Sequence, residues 1–251
     1  MRLGRVLLIA RREWTEVVAN RIMLLSLAVI PIFLVLAPLP VIASMLPDAS
    51  VPRETVDRVA VVVTSVVQLW TGLFLLLPVM VPLAIGAQSV VGEREKRTIE
   101  PLLVAPIEAS EILVGKIVSA LVPGLGITWL AFASFCGAVN LLAWPHFHRL
   151  LRPDLNGLLL LFLVGPVLAG LGNGLVVTVS ARVSDARTSN QLSGLLIMPL
   201  MGFVAVPEMF GPELGPRVYL AAFVGIGLLD LAVYRLALRL FDRERLISTV
   251  R

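Results

Sequence analysis

An all-α, polytopic membrane fold is predicted for this chain by three observations. Of its 251 residues 58% are apolar and only 15% charged, the mean hydropathy is +0.93, and long apolar runs alternate with short charged segments. A soluble domain of this length needs a larger charged surface, so the apolar excess calls for lipid. Crossing about 30 Å of hydrocarbon takes about 20 helical residues. Six transmembrane helices are expected, at about 22–42, 59–91, 112–143, 156–181, 191–206 and 218–240. No polar linker divides them, so residues 1–251 are read as a single transmembrane domain. The 19 Gly and 17 Pro lie in or beside apolar runs, where membrane helices tolerate them.

Ahead of the first span, residues 2–20 form an element of their own. Leu3, Leu7, Ala10, Trp14 and Val17 recur at spacings of three and four, with Arg5, Arg12 and Glu16 on the other face. Such a helix lies along the membrane interface with Trp14 at headgroup depth; a plain basic leader that orients the first span is the other reading. Val6 to Ala10 is too short for a signal-peptide core and Arg11-Arg12 follow at once, so no cleaved leader is expected. The second and third spans are too long for one straight crossing. Pro78 and Pro82 in the second, and Pro123 with Gly124 and Gly126 in the third, are the expected kinks. The short fifth span precedes Pro207, Gly211, Pro212, Gly215 and Pro216, a pattern suited to a re-entrant or broken segment.

The basic residues set the orientation. With six crossings, one side holds 16 of the 21 Lys and Arg, from Arg2, Arg5, Arg11, Arg12 and Arg21 to Arg235, Arg239, Arg243, Arg245 and Arg251. The other side has Arg53, Arg58, Arg149, Arg152 and Arg217. Both termini are therefore expected in the cytoplasm, with an even number of crossings, in a plasma (inner) membrane. The 19 Arg against two Lys suggest a GC-rich prokaryote. A net charge of +4 and a pI near 10.0 could suggest nucleic acid, but the charges are dispersed between apolar runs and form no phosphate-binding patch. Cys136, the only cysteine, excludes a disulfide within the chain.

The most informative stretch is GEREKRTIEPLLVAPIEASEILVGK, residues 92–116, of which 92–110 join the second and third spans. Glu93 and Arg97 form an i,i+4 pair in the favourable order, so a short charged helix can extend the second span into water. Pro101 turns the chain. Leu102, Leu103 and Val104 follow, closed by Pro106, and Ser110 is placed to cap the third span with Glu111 in its first turn. An apolar knob with a charged rim suits docking on a soluble partner; a helix lying on the lipid surface with its leucines among the headgroups is the alternative.

This stretch resembles the signature of the type-2 ABC (ATP-binding-cassette) transporter permeases, approximately E-R-E-x-G-T-x-E-x-L-L-x-[TSA]-P followed by a helix opening on a G-K pair. Glu93, Arg94, Glu95, Thr98, Glu100, Leu102, Leu103, Ala105 and Pro106 match, as do Gly115 and Lys116, while Arg97 stands where Gly is commonest. The arrangement of spans along the whole chain is similar too. The resemblance implies that Glu93, Arg94, Glu95, Lys96, Arg97, Thr98, Glu100, Leu102, Leu103 and Pro106 belong to a cytoplasmic coupling helix seated on a separate ATPase subunit. It further implies that the ATPase binds ATP and Mg, that a second permease copy completes a homodimer or heterodimer, and that the complex exports a drug, antibiotic, lipid-like molecule or ion. The chain has no G-x-x-x-x-G-K-[ST], since Ile117 follows Gly115-Lys116 and no phosphate-cradling glycine precedes, so it is not expected to be an enzyme by itself or to carry a cofactor.

Other polar residues leave two readings each. Asp230, amid leucines near the middle of the last span, costs on the order of 2.5–3.5 kcal/mol if unpaired at that depth. Its carboxyl should face protein or water, shared with Tyr234 one turn on, or be protonated, and is either a cation or substrate contact or a hydrogen-bonded tie to a neighbouring helix. Thr64, Ser65 and Gln68, and Asn173, Thr178 and Ser180, either line a path or bond helix to helix. Gly170 and Gly174, extended by Gly165 and Ala169, permit close helix approach, within the chain or between copies. His146 and His148 supply two metal ligands at best and are read as part of an outer turn anchored by Trp144 and Phe147. An intramembrane enzyme lacks its residues here. An ion-coupled secondary transporter or channel is the stronger alternative, resting on Asp230 alone.

Overall fold

The computed structural model describes residues 3–47, 51–82, 85, 109–180, 191, 195, 202 and 215–240, and all regular structure among them is helical. In chain order the elements are α1 (Leu3–Ala19), α2 (Arg21–Leu36), α3 (Pro38–Met45), α4 (Arg53–Leu73), α5 (Ala109–Phe147), α6 (Leu155–Leu159), a π-helical turn (Leu160–Val164), α7 (Gly165–Ser180) and α8 (Pro216–Leu240). Five stretches are long and apolar enough to cross a membrane: Met23–Met45, Arg53–Pro82, Ser110–Phe147, Leu155–Thr178 and Pro216–Leu238. They coincide with the first four and the last of the expected spans and make the chain a multi-pass membrane protein. The expected fifth span, 191–206, lies outside the described residues except for 191, 195 and 202.

Prolines set the breaks. Pro38 divides the first span at Ala37 and opens α3. In the second span the helix loosens at Phe74 and Leu75 and resumes over 76–82. The break falls four residues before Pro78, where the missing N–H and the ring clash act. There Leu75 N bonds Gly72 O and Leu77 N bonds Phe74 O, so the chain tightens to three-residue turns. Ahead of Pro166 the fourth span instead widens, with Gly165 N reaching back to Leu160 O. The third span, by contrast, runs unbroken through Pro123 and Pro145.

The core centres on Phe74. Its ring meets Phe132 edge-on at 5.6 Å and Phe135 at 5.2 Å, among buried Ile42, Val63, Val67 and Val139. Outside it, large apolar side chains such as Leu130 and Leu141 are exposed, as helix faces in lipid should be. Of the fourth span's apolar window 72% is buried, against 11% for the last span, so the fourth is central and the last peripheral.

Contacts between spans fix their directions. Asp57 with Arg149 at 3.5 Å and Gly124 against Pro82 make the second and third spans antiparallel. Leu113 with Val177 does the same for the third and fourth. Gly170 facing Asp230, Gly174 facing Val233 and Val177 beside Ala237 show that α7 and α8 run parallel. Arg53, Arg58, Arg149 and Arg152 thus share one end of the bundle, and Arg5, Lys116 and Arg235 the other, as their grouping in the sequence anticipates.

One face of α1 packs against the rest of the chain. Val6, Ala10 and Glu13 are buried, while Leu7 is 58% exposed. The protein-facing stripe is offset by about one residue from the apolar one, because a carboxylate with a partner takes its place in it. Ser110, expected to cap the third span, lies within the helix, which already includes Ala109.

Candidate functional site

The start of α5, immediately after the expected coupling segment, is held by α1. Residues of the two helices meet in register along more than two turns. Arg5 Nη1 lies 3.3 Å from Glu111 Oε2, Ile9 lies against Gly115, Lys116 Nζ lies 3.1 Å from Glu13 Oε1, and Trp14 Nε1 donates to Ser119 O at 2.7 Å. Each has a local cause. Gly115 has no Cβ, and one placed there would come within 2.9 Å of Ile9 Cβ, so glycine allows the close crossing. Pro123 has no N–H to give Ser119 O four residues back, and the Trp14 indole supplies the donor that this carbonyl would otherwise lack. The Lys116 side chain is 3% exposed and that of Glu13 11%, so this ion pair is held out of water by both helices. Together the two ion pairs and the indole bond make α1 and the first turns of α5 one clamped unit.

A second group lies where α5, α7 and α8 meet. Asn173 is fully buried, and its Nδ2 donates to Ile117 O at 2.9 Å, tying α7 to α5. Its Oδ1 is buried without a partner among the described residues. Asp230 projects at the glycine stripe: a Cβ on Gly170 would sit 2.7 Å from its Oδ2. Tyr234 packs beside Leu113, Val177 and Ala237 and, among the described residues, is not hydrogen-bonded to Asp230. Gly170 therefore serves intramolecular packing by leaving room for a carboxylate. Gly170→Ala is expected to lower the thermal stability of the detergent-solubilised protein by about 1–3 kcal/mol, the scale of overpacking a tight site, and the near-isosteric Asp230→Asn by less; equal stability of Gly170→Ala and wild type would contradict the contact.

Gln68 is separate from this group. Its Nε2 donates to Asp154 Oδ1 and its Oε1 accepts from Asp154 N at 3.1 Å, while Asp154 caps α6 by accepting from Gly157 N at 2.7 Å. Both ends of the amide are engaged in joining α4 to a helix start, so Gln68 is a helix tie. On the same end Asn140 bonds the backbone of Leu151 in both directions, which pins the turn after α5. There Phe147 is buried and Trp144 and His146 are exposed, and His148 adopts a left-handed φ of 49°. No group of metal-ligating side chains able to hold an ion is found among the described residues.

Glu93, Arg94, Glu95, Lys96, Arg97, Thr98, Glu100, Leu102, Leu103 and Pro106 lie outside the described residues. What the sequence reading missed is the clamp beside them. Lys116 entered only as half of a G-K pair and Glu13 not at all. Their signal was nonetheless present: Glu13 falls three residues after Ala10 on the stripe of Val6, and Lys116 opens an apolar span, so each implied an opposite partner.

A clamped N-terminal helix, long apolar spans and interspan polar ties make a helical membrane domain. Residues 48–213 match the family described as ABC-2 family transporter protein, and the chain belongs to that family: it is an ABC transporter permease and not a nucleotide-binding domain. No curated protein matches it.

Proposed function

We propose that this chain is the membrane subunit of an ATP-driven exporter, energised by a separate ABC ATPase that seats the segment 92–110. Family membership carries the reading, and the Glu93–Pro106 motif names the docking residues. The sequence carries no phosphate-binding loop, which suits an ATP and Mg site on a separate subunit. The clamp supports the same mechanism. A displacement delivered at residues 92–108 enters α5 at Glu111 and Lys116, which are paired to Arg5 and Glu13, so α1 and α5 move as a body. Such rigid elements are what carry coupling between distant sites.

In this reading both termini are cytoplasmic and the chain crosses the membrane six times. The parallel run of α7 and α8 supports the even count, since consecutive parallel helices need a return crossing between them. A second permease copy completes the translocation path, and the substrate belongs to the drug, antibiotic, lipid-like or ion classes. The test is Glu93→Ala with Arg97→Ala. The variant should insert normally, yet lose co-purification with the ATPase and lose ATP-dependent transport. Unchanged co-purification and transport would sink the docking assignment, and ion-gradient-driven transport by the chain reconstituted alone would replace the exporter with an ion-coupled carrier resting on Asp230.

A further inference from the structure

A cavity of about 600 Å³ opens sideways between α1, α2 and α5, within the range of small-molecule sites. Its walls are almost wholly apolar, with Trp14 and Val18 from α1, Leu24, Ala28 and Val35 from α2, and Ala131 from α5 among them. The polar groups in the lining are already satisfied: Trp14 Nε1 donates to Ser119 O and Ser134 Oγ to Leu130 O. Among the described residues the groove therefore offers hydrocarbon contact and no hydrogen bond, which suits a chain of methylenes. From Leu24 to Val35 the α2 wall is about 16 Å long at 1.5 Å per residue, half of the roughly 30 Å hydrocarbon layer. That is one leaflet, the one that carries α1.

Two arginines head the helix stripes that line the groove. Arg21, Leu24, Ala28, Ile32 and Val35 follow one another at spacings of three and four, so Arg21 heads the very stripe of α2 that lines the groove. Arg11 stands in the same relation to Trp14 and Val18 on α1. Both arginines are exposed, and neither is ion-paired among the described residues. We propose that this groove is a binding site for one resident anionic phospholipid, an acyl chain lying between α2 and α5 with its phosphate held at Arg21 and Arg11. The site stands apart from the exporter reading and would hold for any transport mechanism.

The experiment is native mass spectrometry of the full-length protein released from membranes in mild detergent, followed by titration with phosphatidylglycerol and phosphatidylcholine. One phospholipid per chain should be retained, with phosphatidylglycerol preferred about tenfold. Ala28→Phe with Ala131→Phe, which fill the groove, should reduce retention at least tenfold; Arg21→Gln with Arg11→Gln should abolish the headgroup preference and leave chain binding. Equal retention by the filled variant, or no headgroup preference in the wild type, overturns the proposal. Should the filled variant not fold, a phosphatidylglycerol carrying a diazirine in its acyl chain decides on wild-type protein. Labelling should concentrate on residues 28–35 and 127–134, and labelling no stronger there than on the open face of Leu228, Leu229 and Leu236 overturns it. A disulfide between copies through Ala28→Cys would mean that a second chain covers the groove, which also overturns it.

Discussion

Lys116→Ala is expected to destabilise the protein by about 3–5 kcal/mol, the usual cost of leaving one member of a buried ion pair without its partner. The Lys116 ammonium and the Glu13 carboxylate are enclosed between α1 and α5. The truncation removes the ammonium from a site closed to water, and α1 must lift to let water take its place. Thermal unfolding in detergent should register the loss, and limited proteolysis should cut within α1 first. Adding Glu13→Ala should recover part of the stability, because removing both charges is cheaper than stranding one. The contrast is Arg12→Ala. Its pairing with Glu16 at 3.4 Å has both side chains nearly half exposed, so it should cost no more than about 0.5 kcal/mol. If Lys116→Ala and Arg12→Ala proved equally mild, the clamp would not exist as described. The same variant separates stability from coupling: α1 freed from α5 should raise ATPase activity that is not matched by transport.

The limits of the sequence reading have a physical origin. Apolar run length is a direct consequence of bilayer thickness, so the runs themselves were legible: Met23–Met45 overlaps the run expected at 22–42 and Leu155–Thr178 the one at 156–181. Which face of each helix meets protein was not, because leucine serves lipid and protein neighbours alike. On α1 the apolar stripe was expected to meet the membrane interface; the stripe that meets protein lies about one residue away and carries Glu13. Gln68 could not be assigned because its partner Asp154 is distant in sequence. Kinks were half legible. Proline marks where a backbone donor is missing, yet the response differs between them: a break before Pro78, a π turn before Pro166, and at Pro123 an unbroken helix whose orphaned carbonyl is met by Trp14. That last response depends on a tertiary neighbour no local rule supplies.

Gly124 is the position where the smallest change should do the most damage. A Cβ built there would lie 2.6 Å from Cγ and 2.8 Å from Cδ of Pro82, closer than non-bonded carbons approach. The usual escape, rotation of a flexible side chain, is closed, because the Pro82 ring is fused to its own backbone. The second and third spans must therefore separate where they cross, and the separation loosens the contacts of Ile85 and Val81, buried beside Ala120. Alanine has the better helix propensity by about 1 kcal/mol, which offsets some of the about 1–3 kcal/mol expected from overpacking; Gly124→Ala should still be a net loss and Gly124→Leu a larger one. Gly126, two residues on in the same helix, has nothing within 4 Å of its missing Cβ among the described residues, so Gly126→Ala should be neutral or stabilising. Melting temperatures of the three variants decide the matter. A Gly124→Ala protein as stable as Gly126→Ala would mean that the two spans do not cross at this contact, and the antiparallel packing of the second and third spans would need a different register.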